Sequence, residues 1–266
     1  MLIFGGSKKV KDIKIIVATH KKYKMPEDDM YVPVHVGREG KEDIGYRGDN
    51  EGEHISLKNP YYCELTGLYW AWKNLDAEYI GLAHYRRHFV SKKGKDLFSC
   101  VASKEFIDKK LDEADVILPK RRYLYIETIY SHYKHTMYVE PLDETRKIIE
   151  EKYPEYLEFF DKKMKSRSGH MFNMCVMKKE ILNDYCEWLF DILFELEKRI
   201  DPKQYSAFHA RYLGRISERL LDVWIEKNNI KYVEVKVADM QGVNWKKKIW
   251  SFLVAKFTGK KYEGSF

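Results

Sequence analysis

Two periods of hydrophobic and polar positions alternate along the chain. Asp12-Ile-Lys-Ile-Ile-Val-Ala-Thr-His20 is a β-branched run that reads as a buried strand stopping at Thr19-His20. Tyr31 to Val36 reads as a short second strand, Glu78 to His84 as a third, and Ala114 to Leu118, closed by Pro119, as a fourth. Between them the period lengthens to that of helices. Tyr62, Leu65, Leu68, Tyr69 and Trp72 fall on one face of Ser56–Asn74, with Asn59 as the expected cap and Pro60 next. Helices are also predicted over 104–111, 142–153, 156–164, 179–199 and 206–228, with a further strand after the loop Ser168-Gly-His-Met-Phe-Asn173 and a last one over 231–237. Gly37 to Glu53 is glycine-rich and charged, and reads as one long loop. Residues 120–140 are rich in tyrosine and receive no element.

Strands that alternate with helices at short spacing predict an α/β domain with a mostly parallel central sheet flanked by helices. In such sheets a ligand binds beyond the carboxyl ends of the strands. Polar and basic side chains gather there: Thr19-His20-Lys21 after the first strand, His84-Tyr85-Arg86-Arg87 after the third, and His170 and Asn173 beside the strand that ends at Met177.

Charge divides the chain unevenly. Residues 241–266 carry six Lys and one acid, +5 of the chain's +7, which leaves +2 for the remainder. A nearly neutral body argues against nucleic acid as partner. The tail, from Trp245 to Tyr262, places apolar residues at helical spacing between lysines. The expectation is a basic amphipathic helix lying on an anionic membrane surface, dispensable for activity on a short soluble acceptor. The chain thus divides into an extension (1–12), a main domain (13–240) and this tail (241–266). Aromatics at 15% exclude global disorder, and no apolar run approaches the ~20 residues of a membrane span. Cys63, Cys100, Cys175 and Cys186 form no C-x-x-C pair, and Met1 to Val10 lacks the order of a signal peptide. The expected location is therefore cytoplasmic, peripheral on the inner face of the membrane.

The chemistry is marked as much by missing motifs as by present ones. There is no P-loop, no G-x-G-x-x-G after the first strand, no H-E-x-x-H and no Asp-x-Asp. Arg86 and Arg87 follow an apolar strand instead, and arginine grips phosphate through two parallel hydrogen bonds. Fixed cations in place of a metal ion are the reading this supports. Structural ion pairs with the acids are the alternative.

In this order the segments resemble a bacterial glycosyltransferase family of capsule and exopolysaccharide synthesis, long described only as a domain of unknown function. The resemblance rests on Ile15–Lys21, Val32–Gly37, Gly48-Asp-Asn50 with Ile55–Pro60, Tyr62–Trp70, Gly81–Phe89, Gly169–Met177 and Ser217–Leu221. It implies a GT-A-like single domain, a UDP-sugar donor with UDP-galactofuranose leading, a lipid-linked saccharide acceptor and an inverting mechanism, and the arginine reading above adds the expectation of no metal cofactor. On that footing Arg86 and Arg87, helped by Lys21, His20, His84 and Tyr85, are expected at the diphosphate, and Thr19 with Val36-Gly37 at the nucleoside. Asp49 and Asn50 are expected at ribose or sugar hydroxyls, and His170 and Asn173 at the donor sugar or acceptor. Asn59 serves as helix cap or ligand contact. Glu218 is the expected base, and Glu64 the second choice or an anchor for the arginines. A homo-oligomer is compatible with the chain. Two other readings stay open: a non-catalytic sugar- or nucleotide-binding subunit, and a phosphotransferase using the same arginines.

Overall fold

The structure is a computed structural model that describes residues 10–242 and 245–264, together with the side chains in that range other than those of Trp245, Lys247, Lys248 and Ile249. The apolar start of the chain, Met1 to Lys9, lies outside the described residues, and the tail stripe is described only from Trp250 onward apart from Lys246. In chain order the strands are β1 (Ile13–Thr19), β2 (Tyr31–His35), β3 (Arg47–Gly48), β4 (Tyr79–His84), β5 (Arg87–Val90), β6 (Val116–Pro119), β7 (Arg122–Tyr123), β8 (Ser168–Gly169), β9 (Cys175–Lys178) and β10 (Val233–Asp239). The helices are α1 (Asn59–Tyr62), α2 (Leu65–Asn74), α3 (Lys104–Lys110), α4 (Ile129–Thr136), α5 (Glu140–Lys152), α6 (Leu157–Lys165), α7 (Lys179–Arg199), α8 (Tyr212–Lys227) and α9 (Trp245–Thr258).

β1 is buried on both faces, which is why it reads as a continuous apolar run. Ile16 and Ala18 face the larger core, built with α2, α7 and α8. Ile13, Ile15 and Val17 face a smaller one that includes Ile107 and Leu111. β3, β2, β1 and β4 are parallel neighbours, as β6 is to β10. β9 runs antiparallel between β4 and β6, and β5 runs antiparallel to β10. The sheet is therefore mixed, and the expectation of mostly parallel pairing holds only for its β3-to-β4 half. The reason lies in β5: after His84 the chain reverses through Tyr85-Arg86, so His84 faces Arg87 and β5 pairs back along β10.

The helix expected over 56–74 is broken at Cys63, whose φ of 55° and ψ of −131° leave the helical region. Asn59 is therefore no N-terminal cap. It begins α1, and its amide donates to the Cys63 carbonyl at 2.8 Å and to Thr66 Oγ1 at 3.2 Å, bridging the break. Gly214 of α8 packs against this break, where a Cβ would lie 3.3 Å from the Tyr62 carbonyl. The tyrosine-rich stretch left without an element holds α4, capped by Thr128, whose hydroxyl accepts from the Ser131 amide at 3.0 Å.

Candidate functional site

The turn between β4 and β5 decides what faces the ligand edge. Arg86 is half-buried at its tip and lines a cleft of about 470 Å³ beyond the ends of β1 and β4. Ala18, His20, Val36, Asn59, Glu64, His84, Tyr85 and Arg87 line the same cleft, so strands far apart in sequence converge as expected. Arg86 has no ion-pair or hydrogen-bond partner for its guanidinium among the described residues. Arg87 differs: its Nε lies 3.2 Å from Asp239 Oδ2, and its guanidinium stacks 4.4 Å from the Phe172 ring. Of the two arginines expected at the diphosphate, Arg87 is thus held by Asp239 at the end of the antiparallel partner β10, whereas Arg86 is not.

His84 is set by its neighbours. Its Nε2 donates to the Phe172 carbonyl at 2.6 Å, and Glu64 Oε1 lies 3.8 Å away. Burial lowers its pKa, favouring the neutral ring. Glu64 in turn accepts from Asn173 Nδ2 at 2.8 Å, and the same amide donates to the Gly214 carbonyl at 2.9 Å. Asn173 thus ties Glu64, just before α2, to α8, while His84 of β4 holds the adjacent Phe172, and Phe172 and Asn173 are both at positive φ (81° and 56°). Left-handed backbone at two successive non-glycine residues is costly and marks a loop held by its surroundings.

Several expected ligand residues are engaged in holding the frame. The Thr19 hydroxyl is buried and donates to the Lys21 carbonyl at 2.6 Å. Lys21 itself sits at the rim, 5.1 Å from the Tyr85 ring, which His20 also meets edge-on. Asp49 is turned inward instead of toward hydroxyls of a ligand. Its carboxylate accepts from the amides of Gly37 at 2.8 Å and Arg38 at 3.0 Å and from the Ser56 hydroxyl, which fixes the glycine-rich loop. Gly37, with φ of 66°, lies so close to Asn59 that a Cβ would stand 2.6 Å from that side chain. Asn50 donates to Glu39 at 3.0 Å, away from the cleft lining.

His170 is likewise corrected from a ligand contact to a core residue. Its Nδ1 bonds to Asp222, its Nε2 lies 3.1 Å from Glu234 Oε1, and Lys163 lies 2.5 Å from the same Asp222. All of His170, Asp222 and Lys163 are buried, so the imidazole has nothing left to offer a ligand.

Glu218 opens onto a different space. It lines a groove of about 490 Å³ with Arg122, Tyr123, Tyr125, Phe172, Phe252 and Tyr262. Its Oε2 lies 2.7 Å from Arg219 Nη1, and its charge reaches His84, Arg87 and Arg122. Phe172 belongs to the groove wall, and its ring receives the Arg122 guanidinium at 5.1 Å and that of the cleft residue Arg87 at 4.4 Å. Two of its walls come from the tail. α9 packs on α4 with Ala255 buried, Lys256 lies 3.6 Å from Glu127, and the Tyr262 amide donates to the Thr136 carbonyl at 3.0 Å. The tail is therefore docked on the main domain rather than a detached arm.

Three contributors went unread in the sequence. Arg211 lines the cleft and donates to Cys63 Sγ at 3.0 Å, and burial pushes that thiol up to about 11. Arg211, Arg215 and Arg219 recur every fourth residue, the spacing of one helix face, and that signal was available. Arg122 and Phe172 carry no local signal, since they meet only through the fold.

Among the described residues no group of three or more His, Cys, Asp or Glu is arranged to hold a metal ion, and no helix is long and apolar enough to cross a membrane. No curated protein sequence matches the chain. Among solved structures, the chain is similar to a WbbM bifunctional glycosyltransferase in its apo form, with 32% identity and a TM-score of 0.79. The match covers 87% of this chain and 46% of that one, so the chain spans about half the length of its neighbour. The family described as "Domain of unknown function (DUF4422)" matches residues 14–229, the span that carries β1, the Arg86 turn, Asn173 and Glu218, and the chain belongs to that family.

Proposed function

We propose that the chain is a glycosyltransferase that takes a sugar from a nucleoside-diphosphate donor in the Arg86 cleft and moves it to an acceptor hydroxyl in the Glu218 groove. The observation that carries this reading is Arg86 itself, a half-buried guanidinium without an acidic partner among the described residues, at the strand edge of a cleft large enough for a nucleotide. Likeness to a glycosyltransferase at 32% identity supports the reaction class. In it, charge grows on the leaving diphosphate as the glycosidic bond breaks, and Arg86 with Arg211 across the cleft stabilises that charge. His84 and Asn173 act as positioning residues: they fix Phe172 in the groove wall and Glu64 in the cleft wall.

Glu218 takes the proton from the acceptor hydroxyl. It approaches from the groove side of Phe172, away from the diphosphate, which favours inversion. Glu64 lines the donor side, bonded to Asn173, and suits a base less. The donor first in line is a UDP-sugar, UDP-galactofuranose foremost, and the acceptor a lipid-linked saccharide. The turn after β4 offers guanidinium groups and no paired carboxylates, so fixed cations stand in for a divalent ion. The outer face of α9 exposes Trp250, Leu253 and Phe257, and with Lys246 it fits a peripheral contact to an anionic membrane.

Calorimetric UDP titration and assay of released UDP test the reading together. Glu218→Gln is expected to lower turnover by about 10²–10⁴-fold while UDP affinity survives, and wild-type turnover is expected to persist in excess chelator. A chain that binds no UDP and turns over no UDP-sugar defeats the proposal, and activity restored only by Mn²⁺ or Mg²⁺ defeats its metal-free form.

A further inference from the structure

Beside the donor cleft lies a wider basin of about 670 Å³, ringed by Lys92, Lys93, Lys120, Arg121, Arg122 and Lys236. Its one carboxylate, Asp239, is already 3.2 Å from Arg87. Lys92, Lys93, Lys120 and Lys236 are exposed and form no ion pair among the described residues. Arg122 is half-buried and likewise lacks an acid at ion-pair distance. Arg121 in the ring is paired, its Nε 3.6 Å from Glu234 Oε1, and elsewhere the same chain pairs its arginines closely. Arg199 meets Glu144, Glu151 and Glu195, and Arg146 meets Asp161 and Glu150. A concavity with Val90, Leu97, Val237 and Ala238 in its wall concentrates the field of these unmatched cations. A guanidinium cannot shed its charge to relieve the crowding. The arrangement is complete only with an anion in it.

Position narrows the choice of anion. The basin shares Arg87 with the donor cleft, and shares Arg122 and Phe172 with the Glu218 groove. A ligand seated here lies alongside the acceptor path and outside the donor cleft. We propose that the basin is an anion subsite that holds a phosphate or pyrophosphate ester carried by the acceptor. The ester anchors the acceptor so that its hydroxyl reaches Glu218. The acceptor role rests on the glycosyltransferase reading; the anion site does not.

The test uses the full chain saturated with UDP and titrated calorimetrically with butyl diphosphate or with inorganic pyrophosphate. Butyl diphosphate is expected to bind, and Lys120→Ala/Lys236→Ala to weaken it about tenfold or more through the loss of two charge-assisted contacts. UDP affinity stays within about twofold in that variant, and Arg86→Ala leaves the butyl diphosphate affinity unchanged. Equal butyl diphosphate binding by the double variant and the wild type overturns the site. Binding of free pyrophosphate without the ester overturns the acceptor assignment. Absence of UDP binding beside intact, Lys120-dependent diphosphate binding defeats the proposed donor reaction and leaves the basin standing.

Discussion

The two charged regions that flank β9 and β4 use the same residue types in opposite ways. Behind β9, Lys163, Asp222, His170, Glu234 and Arg121 form a chain in which every charge meets another, and Arg121 also donates to the Tyr232 hydroxyl at 2.7 Å. Around the β4 turn, Arg86 and Arg122 have no acid at ion-pair distance among the described residues. Burying charge without a partner is expensive, so a fold that needed those arginines only for stability would supply carboxylates, as it does for His170 and Lys163. The difference separates charges that specify the fold from charges that await a ligand. His88 shows a third solution. Buried beside Tyr31 and Phe98, it gives up its charge, since burial pushes its pKa down to about 4. Arginine has no such escape, and its unpaired charges stay positive until an anion arrives.

The sharpest way to break this contrast is to remove one charge from each region. Asp222→Ala leaves buried Lys163 and His170 facing no carboxylate at that position, at an expected cost of about 3–5 kcal/mol. By thermal unfolding this is a fall in Tm on the order of 10 °C. Asp222→Asn is the gentler variant, expected to lose part of the same stability. Arg86→Ala severs no ion pair, so urea unfolding should place it within about 0.5 kcal/mol of wild type while UDP affinity falls. Equal destabilisation by the two alanines would erase the distinction.

The neutral solution has its own signature in pH. The folded pKa of His88 lies below the ordinary 6.5, so its stabilisation is full above pH 6.5 and is lost as pH falls toward 4, where the unfolded chain takes up a proton the folded one refuses. Between pH 7 and 4.5 that is about 2–3 kcal/mol. His84, His20, His35 and His209 are lowered too, with the same sign. The measurement is therefore the difference in urea unfolding between wild type and His88→Phe across that range. Parallel curves would show that His88 carries its charge inside the fold.

How far the amino-acid sequence revealed these regions follows from the reach of each interaction. β1, β2 and β4 were legible because a β-branched run declares itself locally, and the convergence of Ala18, His20 and His84 on one cleft followed from the strand-end rule. β5 was not: Arg87-His-Phe-Val90 becomes a strand through β10, whose pairing residues lie near position 238. His170 and Asn173 sit three residues apart in one loop, yet one is locked by Asp222 and the other reaches Glu64. Nothing local distinguishes them. Cys63 illustrates the same limit, since an apolar helical period ran unbroken through a residue whose backbone leaves the helix.

The tail repeats the contrast within a single helix, with smaller effects. One side of α9 is docked: Ala255 is buried and Phe252 meets His132 at 5.4 Å while lining the Glu218 groove. The other exposes Trp250, Leu253 and Phe257, apolar groups with no cover among the described residues. Phe252→Ala removes one aromatic wall, worth about 1 kcal/mol of acceptor binding, so the acceptor KM is expected to rise several-fold with UDP affinity unchanged. The triple change Trp250→Ser, Leu253→Ser and Phe257→Ser should leave that KM alone for a short soluble acceptor and release the chain from anionic vesicles in a sedimentation assay. If the outer-face variant raised the soluble-acceptor KM and the inner-face variant did not, the docked and open sides would have exchanged roles. The wall of the groove would then have to be sought outside α9.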